Sequence, residues 1–125
     1  MTAWTSSELD QFGRAEELAV MSRRRDGTIT RPVIVWVARH DASLYIRSAV
    51  KGRDAGWFRA TQLTHTGKIS AGGVERSVAF DEAEQALNDA IDRAFETKYR
   101  QYGPRYVRPM VTPKARSTTI RLSPR

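Results

Sequence analysis

The run Val33-Ile34-Val35-Trp36-Val37-Ala38 constrains the fold more than any other stretch. It has no polar face, so both of its sides must be covered by protein. With Ile29 before it and Arg39 after it, it reads as a central β-strand. Pro32 cannot donate to a ladder and belongs near the strand's start or at a bulge. Upstream, Leu18, Val20 and Ser22 alternate with Ala19, Met21 and Arg23, a second strand over residues 17–24. Arg25-Asp26-Gly27-Thr28 joins the two as a tight turn. Downstream, His40-Asp41-Ala42-Ser43 is another turn and Leu44 to Ala49 a third strand. Strands joined by short turns pair antiparallel, because parallel pairing needs a long crossover. These three are therefore expected to form a meander.

Lys68 to Phe80 predicts a further hairpin about Gly72-Gly73. Ile69, Ala71, Val74, Val78 and Phe80 then share one face, and Arg76 falls among them. A bulge that turns Arg76 outward is the preferred explanation. The alternative is a guanidinium aimed at something bound. Thr5 and Glu8 have capping-box spacing for a two-turn helix with Leu9 and Phe12 on its apolar side and Gly13 at its end. Residues 57–66 predict a short helix. Asp81 with Glu84 predicts the start of a long one, whose apolar face runs from Ala83 through Ile91, Phe95 and Tyr99 to Tyr102. Gly103 and Pro104 stop it, and residues 117–122 make a closing strand. The expectation is one mainly β, α+β domain over residues 1–125. Six antiparallel strands form a small barrel or half-barrel, and the long helix lies over an open end.

Composition removes several chemistries. There is no cysteine, which excludes disulfides, zinc knuckles, iron–sulfur sites and thiol nucleophiles. His40 and His65 stand far apart in turn-like contexts, so no metal site is expected. There is no Gly-x-Ser-x-Gly elbow, Walker loop or GxGxxG fingerprint. The segment Met1-Thr2-Ala3-Trp4-Thr5 lacks the basic start and apolar run of a signal peptide, and no run approaches a membrane span. A cytoplasmic location away from membranes is expected. The net charge is +7, from 21 Lys and Arg against 14 Asp and Glu. Only Arg23-Arg24-Arg25 is clustered, with a slight thickening after Arg100. Dispersed charge of this kind reads as solvated surface first, an anionic small-molecule seat second and a nucleic-acid surface last.

The most suggestive segment runs from Arg31 to Trp57. Basic side chains and free backbone N–H groups at a strand end can hold a phosphate, and a nearby tryptophan can wall a flat ring. By spacing alone, Trp57 reads first as a core anchor and Lys51 first as a solvated charge. The chain resembles an uncharacterised bacterial family, domain of unknown function 2255. The resemblance lies in Trp4 to Leu9, Glu17 to Arg24, Ile34 to Val37, Leu44 to Ala49, Ala71 to Arg76 and Lys98 to Gly103. More distantly it is similar to the deazaflavin-dependent nitroreductases and the wider flavin-binding split-barrel superfamily. There an Arg and a Pro open a strand, a strand ends in Ala-Ser, and Lys-Gly-Gly and Trp-Tyr follow. The counterparts are Arg31 and Pro32, Arg47-Ser48-Ala49, Lys51-Gly52 and Trp57-Phe58, with Ser48 and Ala49 in reversed order and Arg53 at the second glycine.

The resemblance implies a split β-barrel, a homodimer with cofactor sites at the subunit interface, and FMN or the deazaflavin F420 as cofactor. It implies that Arg31, Pro32, Ser48, Ala49, Lys51, Gly52 and Trp57 bind that cofactor, with Arg76 a further candidate on the inner face. The cofactor would perform hydride transfer to a small molecule, which accounts for the lack of a catalytic triad. The altered loop keeps a second reading open, a non-enzymatic ligand-binding or interaction domain without the cofactor. A basic nucleic-acid-binding domain is the third.

Overall fold

The computed structural model describes residues 3–125; Met1 and Thr2, the first two residues of the Met1-Thr2-Ala3-Trp4-Thr5 stretch, lie outside the described residues. Helix α1 (Ser6–Arg14) opens on the expected capping box. The Glu8 N–H donates to Thr5 Oγ1 at 3.1 Å, and the Thr5 N–H donates to Glu8 Oε1 at 2.9 Å. Gly13 does not stop this helix, which ends one residue later against an extended Ala15. Four strands follow: β1 (Leu18–Ser22), β2 (Val33–Val35), β3 (Val37–His40) and β4 (Ser43–Ile46). Then come α2 (Gly56–Thr64), β5 (Thr66–Ala71), β6 (Val74–Glu82) and α3 (Asn88–Tyr99). After short helical turns, β7 (Ile120–Pro124) closes the chain.

The seven strands form one antiparallel sheet in the order β2-β1-β5-β6-β7-β4-β3. This corrects the expected meander. The apolar run is not one central strand: it breaks at Trp36, and its halves lie at opposite edges of the sheet. Val33–Val35 pairs with β1, while Val37–His40 pairs with β4. One bent segment thus draws the two edges toward each other, and the sheet is nearly closed into a barrel. Seven strands replace six for this reason.

Closure explains the two apolar faces of the run. Val35 and Val37 point inward with Leu18, Ile69, Phe80, Ile46 and Leu122. Phe12 of α1 and Phe58 of α2 join this inner core. Ala38 and Tyr45 point outward, where they meet Ile91, Phe95 and Tyr99 of α3. The long helix therefore covers the outer wall at β3–β4 rather than an open end. Burying side chains of this size stabilises by roughly 1.5–3 kcal/mol each, and both faces of this wall collect that gain.

Helix α3 begins at Asn88, later than the Asp81–Glu84 box predicts. Strand β6 continues through Asp81 and Glu82 because β7 is there to pair with it, Asp81 facing Arg121 and Glu82 facing Ile120. Opposite charges across a ladder favour that extension. The closing strand starts at Ile120 rather than Ser117, since the carbonyls of Pro113, Ala115 and Arg116 take the N–H groups of residues 117–119 in turns. The Gly72-Gly73 turn is as expected, with φ of +57° and +82°. The hairpin register is regular, Ile69 opposite Arg76 and Ala71 opposite Val74, so no bulge relieves Arg76. Instead Arg76 meets Glu8 of α1 at 3.5 Å.

Candidate ligand cleft beside the barrel seam

Where the two sheet edges approach, their free backbone groups need partners. On the β3 edge, side chains of α3 supply those of Val37. The Tyr99 hydroxyl accepts from the Val37 N–H at 3.1 Å and donates to Glu16 O at 2.8 Å. Lys98 Nζ donates to Val37 O at 2.7 Å and to Ala15 O at 2.5 Å. Two adjacent residues thereby tie the start of β3 to the segment that enters β1. Burial pushes the Lys98 ammonium down to about 8, opposed by the Glu16 carboxylate, and pushes the Tyr99 phenol well above its ordinary value. The Trp36 ring stacks flat on Tyr99 with centroids 3.9 Å apart.

Trp36 also borders a cleft of about 500 Å³. Trp36 and Trp57 both line it, with Ser48, Ala49, Lys51 and Glu17. Its position depends on the loop that leaves β4, and Arg47 anchors that loop. Arg47 is 2% exposed, and five hydrogen bonds satisfy its guanidinium. Nη1 donates to Asp92 Oδ1 at 2.5 Å and to Met110 O at 2.9 Å. Nη2 reaches Asn88, and Nε donates to Thr119 Oγ1 at 2.9 Å. Asp92 also faces Arg116, which holds Asp89 at 2.5 Å. Burial lowers the Arg47 pKa, and the hydrogen bond and charge of Asp92 oppose that effect.

The next residues are held by backbone. The Ser48 N–H donates to Thr118 Oγ1 at 2.8 Å, and Ser48 is buried. Lys51 is exposed and precedes a single helical turn, Gly52–Asp54. Gly52 has φ +56°, and a Cβ there would stand 2.5 Å from Lys114 Cγ. Glycine thus permits both the left-handed turn and the passage of the Lys114 stem across it. Trp57 is half-buried at the start of α2, edge-on to Phe58 at 6.2 Å.

Ser48, Ala49, Lys51 and Trp57 of the predicted residues come together in this cleft, with Gly52 directly behind Lys51. Arg31 lines a smaller hollow that shares Trp57 but contains Val20, Ser22 and Gly56 instead. Pro32 stands exposed just before β2. Arg76 lies with Glu8 and belongs to a different part of the barrel. Sequence reasoning missed Trp36, because its role depends on the break between β2 and β3. It also missed Arg47 as the loop's anchor. The one local signal was a charged residue directly after the apolar strand residues 44–46.

A nearly closed seven-stranded antiparallel barrel with α1 and α2 against its inner core, α3 on its outer wall and a cleft beside its seam defines a split-barrel protein. The chain belongs to the family described as uncharacterized protein conserved in bacteria (DUF2255), which matches residues 8–122. No curated protein matches it in sequence. Among solved structures, it is similar to a Bacteroides thetaiotaomicron protein named for 5-nitroimidazole antibiotic resistance. That match has 11% identity and a TM-score of 0.62, covering 99% of this chain and 81% of the other. It is also similar to a conserved hypothetical protein of Mycobacterium tuberculosis at 14% identity and a TM-score of 0.53, covering 98% and 80%. At these identities the likeness is one of fold.

Among the described residues no helix is long and apolar enough to cross a membrane, and no group of three or more potential ligands could hold a metal ion.

Proposed function

We propose that the cleft binds a flavin or deazaflavin, FMN or F420, and that the protein is an oxidoreductase acting on a small molecule. The observation that carries this reading is the presence of Trp36, Trp57 and Lys51 around one cleft. The aromatic rings and Ala49 suit a planar heteroaromatic body. Lys51, exposed and in no ion pair among the described residues, suits a phosphate at the mouth. When bound, such a group supplies hydride chemistry. The chain's part is to hold the ring between the tryptophans, fix its anionic end on Lys51 and limit water at the ring face. The name of the Bacteroides neighbour directs the first substrate trials to nitroimidazoles. Ile34 is 56% exposed on the edge strand β2, which supports pairing with a second copy there; a monomer mass in sedimentation equilibrium would refute that part.

The test is a titration of the protein with FMN and with F420, read by the cofactor's visible spectrum and by thermal shift. Saturable spectral change with either is expected. A second reading has its own observation. Lys114 crosses Gly52 where a phosphate-cradling loop would lie open, which favours a ligand-binding domain that has lost the cofactor. Binding of a small anion without reduction of any nitroaromatic by the reduced cofactor would select it.

A further inference from the structure

A second depression adjoins the cleft through Ala49 and Val50. It encloses about 580 Å³, within the usual range of small-molecule sites. Its floor is apolar, and Val50 alone is 78% exposed there. Around it stand Arg105, Arg108 and Lys114, and no acidic residue lines it. The contrast with neighbouring cations is sharp. Arg47 is paired with Asp92, Arg53 with Glu82 at 3.0 Å and Arg116 with Asp89. Among the described residues, Arg105, Arg108 and Lys114 make no ion pair; Lys114 Nζ reaches only the Val50 carbonyl, at 3.5 Å. Three cations without ion-pair partners around an apolar floor make the depression a favourable place for an anion.

We propose that this groove is a binding site for a small amphiphilic organic anion, an apolar body with a phosphate or carboxylate head. Arginine forks match both heads bidentately, and the apolar floor takes the body. A nucleic acid is the weaker match, because the floor is built from Pro104, Pro109, Pro113 and aliphatic residues and offers no ring on which a base could stack. This inference is independent of the cofactor reading, since the two sites use different cations.

Octyl phosphate, octanoate, octanol and inorganic phosphate, each below its aggregation threshold, distinguish the possibilities in calorimetric titrations of the whole chain. Octyl phosphate or octanoate should bind saturably, and octanol and inorganic phosphate at least tenfold more weakly. The double variant Arg105→Glu/Arg108→Glu should weaken the anion at least tenfold. Arg25→Glu, on the exposed β1–β2 turn, controls for net charge and should leave affinity within twofold. Lys114→Gln supplies a milder second variant should the double one fold poorly. Trp57→Ala should leave octyl phosphate binding unchanged even where it abolishes binding of FMN or F420. Equal binding of octanol, absence of binding by both anions, equal weakening by Arg25→Glu, or binding only to anionic vesicles would each overturn the proposal.

Discussion

The seam and the cleft share one residue, Trp36, yet they are built in opposite ways. At the seam the polar ends of α3's side chains find partners. The Tyr99 hydroxyl, the Lys98 ammonium and the backbone of Val37, Ala15 and Glu16 satisfy one another at 2.5–3.1 Å. At the cleft, Lys51 is exposed, Ile34 and Val50 present apolar surface, and Trp57 is only half-buried. The difference separates stability from function. Buried polar groups that find partners hold the barrel together, whereas groups left unpartnered beside apolar surface are available to a ligand. Substitutions at the seam and its supporting network should therefore act on stability, and substitutions in the cleft on binding.

The largest stability loss is expected for Arg47→Ala. It leaves Asn88, Thr119 and Met110 without their shared partner and Asp92 with only Arg116, a loss of about 3–5 kcal/mol. Urea denaturation should show the midpoint falling accordingly. Gly67→Ala comes next. A Cβ there would stand 2.0 Å from Met21 O and 2.8 Å from Phe80 Cε2, and must push β5 off β1. Overpacking of this kind costs about 3 kcal/mol, and the same denaturation measures it. Tyr99→Phe removes one hydroxyl but orphans the Val37 N–H, at about 1–3 kcal/mol. If the seam matters as described, that single oxygen outweighs the exposed Arg53–Glu82 pair, whose removal should cost under about 1 kcal/mol.

Lys98 sharpens the comparison through pH. Its folded pKa, about 8, lies below its ordinary 10.5 because burial penalises the charged form. Between those values the unfolded chain binds more protons than the folded one. This residue's contribution to stability thus rises as pH increases from about 8 to 10.5. The difference between wild type and Lys98→Met, followed by denaturation across that window, should shift in wild type's favour with rising pH. A flat difference would mean that the ammonium is not desolvated as its place at the seam requires. Smallest in stability, yet clear in binding, should be Lys51→Gln. Its melting temperature should stay within a degree or two, while affinity for FMN or F420 falls about tenfold, as loss of a charged hydrogen bond implies.

What could be read from the sequence follows the same division. The Thr5–Glu8 capping box, the Gly72-Gly73 turn and the hairpin strands depend on neighbours within a few residues, and they stand as their chemistry dictates. The break at Trp36 left no trace in the pattern, because Val35 and Val37 point inward whether the strand is continuous or changes partners. Only the long-range pairing of β1 with β2 and of β4 with β3 distinguishes the two. Ser48, Ala49, Lys51 and Trp57 meet in one cleft because one loop and the start of α2 carry them within ten residues. Arg31 and Arg76 are distant in sequence from that loop, and barrel curvature takes Arg31 to the adjoining hollow and Arg76 to Glu8. The Asp81–Glu84 box had the right local chemistry for a helix start, but the ladder with β7 held those residues extended.

The central claim is that Trp36, Trp57 and Lys51 form the seat of a flavin-type ring. Its most direct test is a titration of the wild-type chain and of Trp57→Ala with FMN and with F420, following the cofactor's visible absorbance. A saturable change with one of the two, near one cofactor per chain and lost in Trp57→Ala while the fold persists, is the predicted result. No spectral change and no thermal shift with either cofactor would contradict it.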